Sequence, residues 1–422
     1  MSTFALPSIT YVDLALVLIF VYVVACTTLR KGSSLSLPPG PRRVPFLGNL
    51  LSMPMAKEWE TFAKWGEKYV FSQTIVVLNS AKVAAELLDS RSAIYSDRPV
   101  VPMGGDLVGY NRALGLLPYG DRFKKHRRLA KQLFGNTKTM EAFYPIEEEE
   151  AHRLLKRLVS QSDRFVNHIQ KMAGAIILRV THGYPVQEGE DPFVKLADEA
   201  LQQFSASSSP TSFMVNMVPA LMYVPAWVPG VSFRKTARKW AAHLEETVEK
   251  PFEWVKTRMA NGTAEMSFIS NLLGEGQLNE KEEYDIKWTA SALYAGKAIR
   301  ILSIYLQDAE YCLQRGVDTT VGSQVSFLKA MLLWPEVAKK AQAELDTVVG
   351  SDRLPTFADR ASLPYLNALA LETFRWHSVG PTGIAHRLME DDTYNGYFIP
   401  KGLKSFSYSR WINITASYLQ DP

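Results

Sequence analysis

Apolar residues return at intervals of three and four in nine stretches of this chain: 55 to 69, 81 to 89, 119 to 134, 146 to 159, 191 to 205, 236 to 259, 280 to 294, 335 to 349 and 363 to 377. Residues so spaced share one stripe of an α-helix, and each such helix must bury its stripe against a neighbour. Strand signals are few. Thr74 to Leu78 is a β-branched run ending at Asn79, and Gly396 to Ile399, ahead of Pro400-Lys401-Gly402, reads as half of a short hairpin. The spacing predicts a mainly α fold with a small β-sheet, and 47% hydrophobic residues in 422 supply a large core for it. No internal repeat or low-complexity segment stands out.

Ahead of the helical body, Ile9 to Leu29 is apolar apart from Asp13 and a few hydroxyl residues. This is about the 20 residues that a helix needs to cross about 30 Å of hydrocarbon. Arg30 and Lys31 follow at once, and the positive-inside bias then places the N-terminus in the lumen and the body of the chain in the cytosol. A cleaved signal peptide would carry a charged n-region and a shorter apolar run. Residues 1–31 are therefore expected to form a transmembrane anchor in the lipid bilayer. Residues 32–50 follow with Pro38, Pro39, Pro41 and Pro45, whose fixed φ makes a stiff, extended hinge between membrane and body.

The net charge of +4 is small and dispersed, which excludes the electrostatic footprint of a nucleic-acid partner. Two cysteines, Cys26 and Cys312, rule out a disulfide framework and form no zinc spacing. His152, His168, His182, His243 and His377 form no metal spacing, and Gly104-Gly105 is not followed by a phosphate loop. No metal ligands are assigned.

Four short segments could carry chemistry. Asp318-Thr319-Thr320 pairs an acid with an alcohol on a helix; such a pair can hold a proton in hydrogen-bond reach of a substrate atom, and it can equally be a helix N-cap. Glu372 and Arg375 stand at i, i+3 on a helix running from about Pro364 to His377, a spacing common on solvated faces. The run Tyr119-Gly120-Asp121-Arg122-Phe123-Lys124-Lys125-His126-Arg127-Arg128 is a basic helix with an aromatic residue four before an arginine. Gly383-Ile384-Ala385-His386-Arg387 places a histidine and an arginine side by side beyond the Glu/Arg pair.

Taken together, and in this order after an anchor, a basic pair and a Pro/Gly hinge, these segments resemble cytochrome P-450, the haem-thiolate monooxygenases, and look most like a fungal microsomal member. The resemblance runs from the hinge to Gly402. It implies a haem cofactor, an NADPH-dependent reductase in the same membrane as partner, a hydrophobic small-molecule substrate, and an endoplasmic reticulum location with a cytosolic body. It further implies that Asp318 and Thr319 are catalytic and deliver protons at the oxygen-binding face. Phe123, His126, Arg127 and His386, with Arg387 as rival, would hold the haem propionates through charge-assisted bonds. Phe123 stands where the family usually has Trp, which removes an indole donor. Glu372 and Arg375 would lock the core beneath the haem. Substrate identity would reside in segments 98 to 115 and 205 to 235, the second rich in Met, Pro and aromatic residues.

Three departures bear on function. Lys68-Tyr69 runs directly into Val70-Phe71, where the family has a full first strand. Residues 297–315 split what the family has as a contiguous Ala-Gly-x-Asp-Thr-Thr, and as helix they would displace Asp318 by about 28 Å. Residues 403–422 form a tail in which no haem-ligand cysteine occurs, so residues 51–402 are read as a partial domain, incomplete at its C-terminus. Two functions follow as expectations. One is a haem-dependent monooxygenase inserting one oxygen atom of O2 into a hydrophobic substrate. The other is a non-catalytic truncated relative or mis-spliced product lacking the thiolate.

Overall fold

The computed structural model describes residues 75–295 apart from 79, 135–136, 210–211, 226, 229–230 and 277, together with 319–377 and 384–407. The expected anchor, hinge and insert, Asp318, both cysteines and residues 408–422 lie outside the described residues. No helix among the described residues is long and apolar enough to cross a membrane.

Helices dominate. α1 (Asp121–Phe134) and α2 (Tyr144–Ser160) precede α3 (Phe165–His182), α4 (Pro192–Ser208), the long α5 (Phe233–Ala260) and the short α6 (Phe268–Gly274). α7 (Glu280–Ala295), α8 (Thr319–Leu333), α9 (Pro335–Val348) and α10 (Pro364–Trp376) complete the α-helices longer than five residues. Most fall where the three-and-four spacing predicts them. α3, α6 and α8 do not. Along α3, residues Met172 to Leu178 are buried without interruption, so its middle leaves no periodic stripe in the sequence, although Lys171 and Arg179 at the two ends of that stretch pair with carboxylates at the surface.

α3 is the axis of the core. Met172, Ile176 and Val180 share one buried cluster with Leu133 of α1, Phe252 and Val255 of α5, Phe268 and Ile269 of α6, and Ile286 and Ala290 of α7. Each such side chain contributes about 1.5–3 kcal/mol on leaving water. One turn earlier, Ile169 and Ala173 pack with Val321 and Val325 of α8. α7 and α8 thus dock on neighbouring turns of the same helix.

A small sheet flanks the bundle. β1 (Ile75–Leu78) pairs in parallel with β5 (Lys404–Ser407), and β2 (His386–Arg387) adds to β5 antiparallel. β3 (Asp392–Tyr394) and β4 (Tyr397–Ile399) form a hairpin whose two turn residues, Asn395 and Gly396, have φ of 49° and 79°. Positive φ at both positions is the turn that matches strand twist, and Asn-Gly is the pair that tolerates it. β5 lies within the segment assigned above to a tail, and it holds the other two strands of its sheet together. The sheet region closes on residues 81–97 through Tyr95, whose hydroxyl donates to Asp392 at 3.0 Å while Arg91 pairs with the same carboxylate at 2.6 Å.

Elsewhere close packing explains a sequence feature. A Cβ on Gly104 would meet the Ser207 hydroxyl at 2.8 Å, so this glycine lets the 102–108 segment lie against α4.

Candidate functional site

α1 starts after Gly120 and presents two different faces. Residues 122, 125 and 126 share one, since i, i+3 and i+4 are neighbours on a helix, and residues 119, 123 and 127 share the next. On the second face, Phe123 is buried with its ring 5.6 Å from that of Tyr119. Arg127 is exposed, its guanidinium 5.8 Å from the centre of the Phe123 ring. Lys124, exposed, lies over Tyr119 instead.

Two further basic groups lie nearby: Arg98, which feels the charge of Arg127, and His386, which feels that of Arg98. Arg98 sits on the segment entering from residues 92–97, and burial and then the charge of Arg127 both lower its pKa. Its Nη1 donates to the carbonyls of Ile384 at 3.2 Å and Ala385 at 3.1 Å, while its Nε is buried without a partner among the described residues. His386 sits beside it on β2. Burial holds its pKa low, the Arg98 charge lowers it further, and its Nδ1 lies 2.8 Å from the Tyr95 carbonyl. Arg387, the alternative to His386, is taken by Asp97: its Nε donates to Oδ2 at 2.7 Å, and Asp97 Oδ1 accepts from the Tyr119 amide at 2.8 Å. The structure therefore brings together Arg127, His386 and Arg98. Arg98 is the member that sequence reasoning missed, because Ser96-Asp97-Arg98-Pro99 has no spacing that marks it.

His126 goes elsewhere. It is fully buried on the other face of α1, with Nε2 3.3 Å from Asp285 on α7, and burial keeps its pKa low. One residue along a helix turns a side chain by about 100°, so His126 and Arg127 serve different neighbours. Glu372 and Arg375 form the expected pair through both guanidinium donors, with Arg375 Nε 2.5 Å from the carboxylate; Glu372 is exposed and Arg375 half-buried. Thr319 is the first residue of α8.

A helical body with a small sheet thus gathers Arg98, Arg127 and His386 at the junction of α1 and β2. The Cytochrome P450 family model matches residues 38–413, over the hinge, the described body and β5, and the chain belongs to that family. It is 39% identical to the cytochrome P450 monooxygenase claR of Ampulloclitocybe clavipes over 402 residues, 93% of this chain and 71% of that protein. It is 42% identical to cytochrome P450 monooxygenase 208 of Postia placenta over 88% of this chain and 70% of that protein. With cytochrome P450 monooxygenase ppsD of Aspergillus oryzae the identity is 36%, over 87% and 68%.

The family implies haem, and the donor set fits its carboxylate edge. Arg98 offers a buried, unpartnered N–H, Arg127 offers a mobile cation and His386 a ring nitrogen, each suited to a propionate oxygen. No thiolate ligand for iron lies among the described residues, which contain no cysteine.

Proposed function

We propose that this protein is a haem-dependent monooxygenase that inserts one oxygen atom of O2 into a hydrophobic small molecule. The observation that carries the reading is the buried Nε of Arg98, without a partner among the described residues and set close to Arg127 and His386, a donor group that an anionic cofactor edge would satisfy. Bound haem would supply the oxygen chemistry, with the electronics of its axial ligand deciding how O2 is cleaved. The residues of the chain would do the rest. Arg98 and Arg127 would neutralise the propionates, Phe123 and Tyr119 would wall that edge from water, and Asp318 and Thr319 would hold a proton where α8 begins. Glu372 and Arg375 would brace α10.

Electrons would come from an NADPH-dependent reductase of the same membrane, and the substrate would enter past residues 98 to 115 and 205 to 235. The N-terminal apolar run with Arg30-Lys31 supports a single-pass anchor in the endoplasmic reticulum with the body in the cytosol. Deleting residues 1–31 should then release the protein from microsomes; quantitative pelleting after a carbonate wash would show that another segment holds it.

A second reading is favoured by one observation of sequence. The only cysteines are Cys26, in the apolar run, and Cys312, in the insert. In that reading these 422 residues keep the helical body and bind haem weakly or without thiolate ligation. The reduced, CO-bound difference spectrum separates the two. A thiolate-type Soret band with reductase-dependent turnover establishes the monooxygenase, and a spectrum lacking that band establishes the non-catalytic form.

A further inference from the structure

The α1/α7 interface holds a charge cluster that the proposed cofactor site does not use. Asp285 is 1% exposed, and three basic side chains of α1 converge on it. Arg122 Nε lies 3.1 Å from Oδ1, Lys125 Nζ 3.2 Å from Oδ2 and His126 Nε2 3.3 Å from Oδ1. Arg122 also lies flat over Tyr284, the preceding residue of α7, with 4.2 Å from guanidinium carbon to ring centre. Burial alone would raise the Asp285 pKa, but the ion pair with Lys125 and the contact with His126 outweigh it and hold the carboxyl below its ordinary value. The acid is charged, and it draws one whole face of α1 onto α7.

That face and the propionate face belong to the same rigid helix. Fixing residues 122, 125 and 126 on α7 fixes the rotation of α1, and with it the direction in which Phe123 and Arg127 point. A turn of about 100° would exchange the two faces. Helix packing by apolar contacts tolerates small rotations, whereas an ion cluster with one buried acceptor does not, because any rotation strands a buried carboxylate. We infer that Asp285 is a positioning residue of the cofactor site: it sets the rotation of α1 that presents Arg127 to Arg98 and His386. The inference rests on the haem reading above for its consequence, and on the ion cluster alone for the anchoring of α1.

The test uses the full chain in detergent and the isosteric Asp285→Asn, which keeps shape and removes charge. Haem loss to a haem-free globin acceptor is followed for the natural protein, Asp285→Asn, Arg127→Ala and the double variant. Asp285→Asn should lose haem about fivefold faster, and Arg127→Ala should make the second change nearly silent, as expected when one residue acts through the other. Fold-changes that multiply in the double variant would overturn the positioning role. Lys125→Gln, a milder cut in the same cluster, should show the same dependence on Arg127 if Asp285→Asn folds poorly. Amide exchange over 121–134 in haem-free protein supplies the independent arm: Asp285→Asn should exchange faster there than over α4, and unchanged protection of α1 would overturn the anchoring. If no variant takes up haem, the cofactor reading falls, while the exchange result still decides whether Asp285 anchors α1.

Discussion

Ten consecutive residues, Tyr119 to Arg128, feed two sites of opposite character. Towards α7, Arg122, Lys125 and His126 meet a buried carboxylate supplied by the protein. Towards β2, Arg127 lies by Arg98, which lies by His386, and the two guanidinium charges repel. The basic residues of the helix do not differ in composition between the two sides. What separates the sides is the source of the counter-charge: Asp285 provides it on one, and the proposed cofactor edge would provide it on the other.

The largest expected effect falls on the balanced side. Asp285→Ala should destabilise the protein by about 2 kcal/mol, since it leaves the buried His126 Nε2 without its acceptor and takes the counter-charge from the half-exposed Arg122 and Lys125. A shift in the urea midpoint measures it, and a loss under about 1 kcal/mol would place the cluster among weak surface pairs.

Glu147 on α2 tests the same rule with the sign reversed, as a buried acid with no cation against it among the described residues. Burial, with Glu148 alongside, pushes its carboxyl up to about 7 from 4.5. An acid held higher in the folded protein costs nothing while both states are protonated. The cost begins above the unfolded value near 4.5, grows until about pH 7 and then levels off. Glu147→Gln should therefore leave stability unchanged near pH 4 and raise it by about 2 kcal/mol near pH 8. Equal stability of the two proteins across that range would mean that Glu147 has a cationic partner.

On the open side the effects are smaller and appear with the ligand. Arg98→Met should lower haem affinity about tenfold, the worth of a charge-assisted bond. In haem-free protein the same change should cost under about 1 kcal/mol, because relief of burial and of the Arg127 charge offsets the lost bonds to the Ile384 and Ala385 carbonyls. Destabilisation of the haem-free form by more than about 1 kcal/mol would make Arg98 a structural cation and erase the contrast between the two clusters. Lys124→Ala, on the solvent side of the same helix, should change neither stability nor haem content beyond about 0.5 kcal/mol, and a loss matching that of Arg98→Met would place Lys124 within the site.

Much of the fold was legible because amphipathic helices leave their period in the sequence. α1, α2, α4, α5, α7, α9 and α10 lie where that period put them. α3 and α8 were missed because their middle stretches, 172–178 and 321–326, are buried continuously, and α6 because seven residues are too short to show a period. Arg98 was missed because its value lies in what surrounds it after folding, and His126 was grouped with Arg127 although adjacent residues on a helix face different ways. The choice between His386 and Arg387 was likewise closed by a distant residue, Asp97, which takes the arginine.

The sequence by itself determined the helical class, the family and the basic composition of the 119–128 segment, since periodicity and short motifs are local properties that survive without a partner. Only the tertiary structure decided which of those basic residues are neutralised and which are left open. That is a property of pairs: the energy of a charge depends on its distance from other charges and on the water displaced around it. Asp285 and Arg98 stand far along the chain from one another, and folding sets both against α1, one as the counter-charge that balances it and the other as the like charge that does not.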